Sequence, residues 1–210
     1  MSSGSLADPR VFRQGYAHIR EHDQKLRPIL DSIGILKFRP EGEPFDSLVE
    51  SILSQQLAGA AASAIIGKVR ALFPRGEVTA IRLSRIDPKK LRTAGVSPQK
   101  LGYLKDLSAR VSNRRLNLGS LSSVPDQKIM EVLDEVKGIG PWTVHMFLIF
   151  TLGRPDVLPV DDYGIKMSMK RVYGLGELPK KAEMESIAAR WAPFRTVASL
   201  YLWHAKDNES

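Results

Sequence analysis

The stretch "KGIGPWTVHMF", Lys137 to Phe147, constrains this chain more than any other. Gly138 and Gly140 bracket Ile139, Pro141 follows at once, and apolar residues at helical spacing lie on both sides. Two glycines allow backbone angles and close approaches that a Cβ blocks. A proline directly after them suits the first turn of a helix, where its missing N–H costs nothing. The segment therefore predicts helix, tight turn, helix. The second helix presents N–H groups without internal partners and the positive end of its dipole. A phosphate fits there, and Lys137 adds a charge beside it. Such a turn grips a nucleic-acid backbone without reading bases. The same pattern also fits an ordinary corner between two helices.

The rest of the chain reads the same way. Helical spacing recurs and alternating β-branched runs are short. "YAHIREHDQKLRPIL" reads as one helix bent near Pro28. Phe45, Leu48, Val49, Ile52 and Leu53 share one face of another. "LAGAAASAIIGKVRALF" is a third, with many small side chains. "DPKKLRTAG" ends on Gly95, a C′ glycine, and Ser97-Pro98 supplies a cap and first turn for the next helix. "VPDQKIMEVLDEV", "PWTVHMFLIFTL", "DYGIKMSMKRVYG" and "KAEMESIAARWAPFRTVASLYLWHA" complete about ten helices by this reading. The fold class is all-α. "MSSGSLADPR" reads as a short disordered tail.

Charge narrows the partner. Residues 68 to 115 hold 13 Lys/Arg against 3 Asp/Glu, while the remainder holds 18 against 20. A basic middle between near-neutral ends suits a polyanion. No apolar run reaches the ~18–20 residues of a membrane span. The absence of cysteine excludes disulfides, thiol nucleophiles and cysteine-ligated clusters, and fits a protein of the cytosol or nucleus.

About twenty residues past the turn comes "LPVDDYGIK". One of Asp161 and Asp162 is an N-cap. Either both acids serve the helix start, or one caps and its neighbour faces a cleft. A carboxylate near a phosphate-gripping turn is electrostatically misplaced unless it answers a positive charge developing on a sugar.

Together, "LDEVKGIGPWTVHMFLIFTLGRPDVLPVDDYGIK", "FDSLVESILSQQLAGAAASAI" and "AGVSPQKLGYLKDLS" resemble the helix–hairpin–helix DNA glycosylase superfamily over about residues 40 to 205. The resemblance is strongest to the 3-methyladenine DNA glycosylase II, or alkylpurine, type. It implies a monofunctional enzyme that excises alkylated purines (3-methyladenine, 7-methylguanine type) from double-stranded DNA in base excision repair. The catalytic residue it implies is Asp162, with Asp161 as the cap. Members that also cut the backbone carry lysine where this chain has Trp142, and an indole forms no Schiff base. Trp142 and Trp203 match base-pocket positions. A cationic alkylpurine over an aromatic face gains roughly 0.5–2 kcal/mol. Met146 departs from the aromatic found in some relatives, and Phe45 and Tyr163 are further candidate walls. His145 reads as a structural or surface residue and not as a proton donor.

The resemblance assigns DNA contacts to Gln55, Gln56, Gly95, Val96, Ser97, Lys100, Lys137, Gly138, Gly140 and Thr143. Gln56 is the expected plug for the gap left by the flipped nucleotide. Residues 95 to 100 form a wedge, and Tyr103 and Lys105 join Lys100 near phosphates. Two helical domains flank a cleft, one made of 1–47 with 153–210 and one of 48–152, with no β-domain. No cofactor or metal is required, although carbonyls near Val136 and Ile139 could hold a monovalent cation. The chain is expected to act as a monomer, inside the cell, with DNA. The competing readings are a hairpin DNA-binding protein without chemistry, and a glycosylase for deaminated or oxidised bases.

Overall fold

The computed structural model describes residues 4–207, with side chains through Ala205. Twelve α-helices and no strand lie among the described residues. They divide into two compact units, residues 1–41 with 148–210 and residues 42–147. The boundaries therefore fall a few residues before those drawn from sequence. Pro44 already starts a helix of the second unit.

The discontinuous unit begins earlier than the tail reading allowed. The Leu6 N–H donates to Gly153 O at 2.8 Å and the Leu6 side chain is buried. Asp8 caps α1 (Pro9–His22) by accepting the Arg10 N–H. Residues 4–10 are thus part of the fold, and Met1 to Ser3 lie outside the described residues. The bend expected near Pro28 falls at Asp23 instead. Pro28 sits in the first turn of α2 (Arg27–Ile33), where proline is tolerated. Asp23 is fully buried and accepts N–H groups from Lys25 and Leu26. It also accepts the Tyr173 hydroxyl at 2.5 Å and the Trp191 indole N–H at 2.7 Å. Four donors on one carboxylate make its burial tenable. Burial and that carboxylate together push the Tyr173 phenol far above its ordinary range.

The last predicted helix is two. Helix α11 (Lys181–Ala188) ends before Pro193, and α12 (Arg195–Asp207) follows it. Met184, Trp191, Val197, Tyr201 and Leu202 close the core against Phe12, Ile19 and Leu30.

The continuous unit holds α3 (Pro44–Ser54), α4 (Gly59–Arg70), α5 (Ala80–Arg85), α6 (Pro88–Thr93), α7 (Pro98–Ser112), α8 (Asp126–Asp134) and α9 (Pro141–Met146). The α3 stripe Leu48, Val49, Ile52 and Leu53 is buried as its spacing requires. Arg70 ties α4 back to α3 through Asp46 and Glu50. Helix α6 ends in a Schellman motif, with Val96 N–H on Leu91 O and Gly95 N–H on Arg92 O. Gly95 takes φ +99° there. The segment read as one helix from Pro141 to Leu152 changes character after Met146, where Phe147–Thr151 forms a π-turn. Helix α10 (Tyr163–Tyr173) then carries the second signature.

Candidate active site and nucleic-acid contacts

In the discontinuous unit the site is built on the first turn of α10. Asp162 is its N-cap, and Oδ1 accepts the Ile165 N–H at 2.8 Å. The same oxygen accepts the Trp203 indole N–H at 2.9 Å. Asp161 is exposed and caps nothing. The structure thereby corrects the division of labour expected between the two acids. The helix starts at Tyr163, so its cap is the residue just before, and one carboxylate carries both the cap and the indole bond. A negative charge at a helix N-terminus is favourable, and two donors on Oδ1 fix its orientation.

Trp203 is half-buried, and Phe150 lies tilted against it with ring centroids 5.7 Å apart. Phe38 meets the other side of Phe150 at 5.9 Å. Sequence reasoning missed Phe150. The π-turn adds a residue to the helical repeat, so Phe150 is turned outward, 41% exposed, while Ile149 is buried. An α-helical count across "MFLIFTL" does not reveal that. Tyr163 stands beside the cap with 63% of its surface exposed, so it packs little against its own unit.

In the continuous unit the hairpin is held from several directions. Gly138 has φ +81°, and a Cβ there would stand 2.1 Å from the Tyr103 ring. Both its angle and its missing side chain are therefore required. Gln55 donates its amide to Gly138 O at 2.7 Å. The Lys137 N–H donates to Asp106 Oδ2 at 3.0 Å, and Asp106 and Glu135 both pair with Arg110. The Ile139 N–H closes the turn on Val136 O at 3.0 Å, so a cation at that carbonyl would share it. The Lys137 side chain is exposed, and Gly140 starts α9 without any side-chain cap.

Several expected contacts turn out to be internal. Lys100 donates its ammonium to Leu53 O at 2.6 Å, in the last turn of α3. Lys105 reaches Leu83 O, Ser84 O and Ile86 O at 2.9–3.1 Å, closing α5. Burial holds both ammonium groups below the ordinary lysine range. These lysines bond helix carbonyls of their own unit, where the resemblance had placed phosphates. Val96 and Thr143 are buried and Ser97 caps α7 by accepting the Lys100 N–H. The side chains of Val96 and Thr143 are therefore enclosed within the unit, whereas Ser97 is partly exposed. Gln56 is exposed with a left-handed φ of +56°, a strained backbone for a residue with a Cβ. Trp142 is 45% exposed on α9, Met146 and Phe45 are half-buried, and His145 is buried.

Comparison with known proteins places this geometry. The profile of a family described as HhH-GPD superfamily base excision DNA repair protein matches residues 49–194. DNA-3-methyladenine glycosylase 1 of Schizosaccharomyces pombe is 31% identical over 193 residues, covering 89% of this chain and 84% of that protein. Among solved structures, a Bacillus halodurans DNA-3-methyladenine glycosidase superposes with a TM-score of 0.84 at 36% identity, over 97% of this chain and 91% of that one. The S. pombe 3-methyladenine DNA glycosylase (Mag1), in complex with abasic DNA, gives 0.80 at 29% identity, over 92% and 97%.

Proposed function

This chain belongs to the HhH-GPD superfamily of base excision DNA repair proteins, and on that premise we propose that it is a monofunctional DNA glycosylase for alkylated purines in duplex DNA. One observation carries the reading. A single carboxylate, Asp162, is fixed at a helix start by a backbone amide and an indole N–H. The names of the relatives support the lesion class.

The target base must first leave the stack, at a cost of a few kcal/mol. Lys137 and the Gly138–Gly140 turn hold the backbone, and Gln56 fills the vacated space. A purine alkylated at N3 or N7 is cationic, so an indole face, that of Trp203 or that of Trp142, favours it over an undamaged base. It is also a good leaving group. As the C1′–N bond stretches, the bonding pair goes to the base, which departs neutral, and the sugar becomes oxocarbenium-like. Asp162 stabilises that charge and orients the water that adds to C1′. Trp142 stands where an amine would be needed for strand cleavage, so the product is an intact strand with an abasic site.

The test uses duplex DNA with one N3- or N7-methylated purine. Wild type should release the base, and strand breaks should appear only after alkali. Asp162→Asn should lower release by at least about 10²–10³-fold. Asparagine caps helices as well as aspartate, so the fold and the duplex affinity should survive. Release by the variant at the wild-type rate would refute the role of Asp162. Tight binding without release of any base would leave a DNA-binding protein without chemistry.

A further inference from the structure

The discontinuous unit carries a concavity that borders Trp203 and is otherwise lined by residues to which the base-release reading assigns no role. A recess of about 740 Å³ is floored by Phe12, Leu36, Phe38 and Phe150 and rimmed by Arg13, Lys37 and Arg39. A smaller recess of about 380 Å³ shares Leu36, Lys37, Phe38 and Phe150 with it and ends on Trp203 and His204. The two form one groove whose floor is a run of rings, Phe38, Phe150 and Trp203, at 5.7–5.9 Å centroid spacing.

Its rim cations are left out of the ion pairs that hold several other cations of the unit. Elsewhere in the unit, Arg10, Arg20 and Arg195 each pair with an aspartate. Among the described residues, Arg13, Lys37 and Arg39 pair with no carboxylate. Glu41 is the sole acid on the lining, so the rim carries a surplus of positive charge. Residues 35–39 form neither helix nor strand, and exposure alternates along them, with Ile35, Lys37 and Arg39 outward. Gly34 O and the Leu36 N–H are both bound to the Tyr201 hydroxyl, which fixes the start of the segment. Outward residues two apart on an extended chain lie about 6.6 Å apart, close to the reach of one nucleotide of unstacked strand.

We propose that this groove binds a short single-stranded stretch of nucleic acid, with bases on Phe150 and Phe38 and phosphates on Lys37, Arg39 and Arg13. Accessible rings beneath a cationic rim are the features that retain single strands without regard to sequence. A duplex keeps its base faces stacked and cannot offer them to the floor. An acidic peptide would satisfy the rim but not the ring faces. The inference extends a DNA-directed protein to a second contact and does not depend on base release.

The test is the affinity of full-length protein for an eight-residue oligothymidylate, followed by fluorescence anisotropy across salt concentration. Lys37→Glu/Arg39→Glu should weaken binding at least tenfold at low salt. Removing two phosphate contacts should also flatten the salt dependence by about 1.4 log units per log unit of salt. Phe150→Ala should weaken binding by about tenfold while leaving that slope unchanged, because stacking carries no counterion release. The altered rim residues are exposed, so a circular dichroism melt should match wild type. Unchanged affinity in both variants would overturn the proposal, as would equal binding of a polyglutamate peptide of the same charge. Base release by wild type from methylated duplex is scored separately, so either reading can fail while the other stands.

Discussion

The two units use the chain in opposite ways. In the discontinuous unit the groups we assign to the chemistry are side chains, Asp162 and Trp203, and the backbone serves to aim them. The helix start at Tyr163 and the indole bond to Trp203 set the position of the carboxylate, and a π-turn turns Phe150 toward Trp203. In the continuous unit the presented surface is backbone, the Gly138–Gly140 turn and the left-handed Gln56, and side chains serve to hold it. Gln55, Tyr103, Asp106, Lys100 and Lys105 all point inward at carbonyls, amides or the turn itself. A basic sequence in such a unit is therefore not a map of its phosphate contacts. Part of the positive charge is structural.

The sharpest break of this comparison lies at Asp162. Asp162→Asn keeps a cap and loses the charge, whereas Asp162→Ala loses both. Both should lose base release by two or more orders of magnitude, but only the alanine variant should lose stability, by about 1 kcal/mol. Thermal or urea denaturation beside the release assay measures both. An alanine variant as stable as wild type would mean that the cap contributes nothing and that the carboxylate is held by Trp203 alone.

Next comes the turn. Gly138→Ala meets the Tyr103 ring and a positive φ at once. We expect about 2–4 kcal/mol of destabilisation and a loss of duplex affinity, from a residue with no side chain to contribute. Tyr103→Ala with Gly138→Ala should recover part of the stability, because it removes the clash and leaves only the backbone strain. A double variant no better than Gly138→Ala would assign the whole cost to φ.

How much of this was readable beforehand divides along the same line. The glycine turn, the proline starts and the α3 stripe follow from local rules, and the sequence predicts each of them at its place. The family signature likewise picks out Asp162 and the helix it starts. The assignment of cap and cleft to different acids failed because it assumed one task per carboxylate, whereas Oδ1 of Asp162 accepts from two directions. Phe150 was hidden because periodicity arguments assume a constant 3.6-residue turn. The carbonyl contacts of Lys100 and Lys105 were hidden because a lysine near a phosphate and a lysine on a helix C-terminus look identical in sequence. Only the carbonyls within reach distinguish them, and those belong to other helices.

The smallest effects decide whether that last distinction is right. Lys105→Met removes an ammonium from three carbonyls while keeping the unbranched stem up to the ε position. If the charge is structural, stability should fall by about 1–3 kcal/mol, while duplex affinity and its salt slope stay at wild-type values. Lys137→Met is the counterpart, since its side chain is exposed and only its backbone N–H is engaged. It should leave stability within about 0.5 kcal/mol, weaken duplex binding a few-fold and lower the salt slope by about 0.9. The two lysines thus trade signatures, one visible only in denaturation and the other only in DNA titration. A Lys105→Met protein with intact stability and a reduced salt slope would reverse the assignment, and the charge of the continuous unit would then face DNA directly.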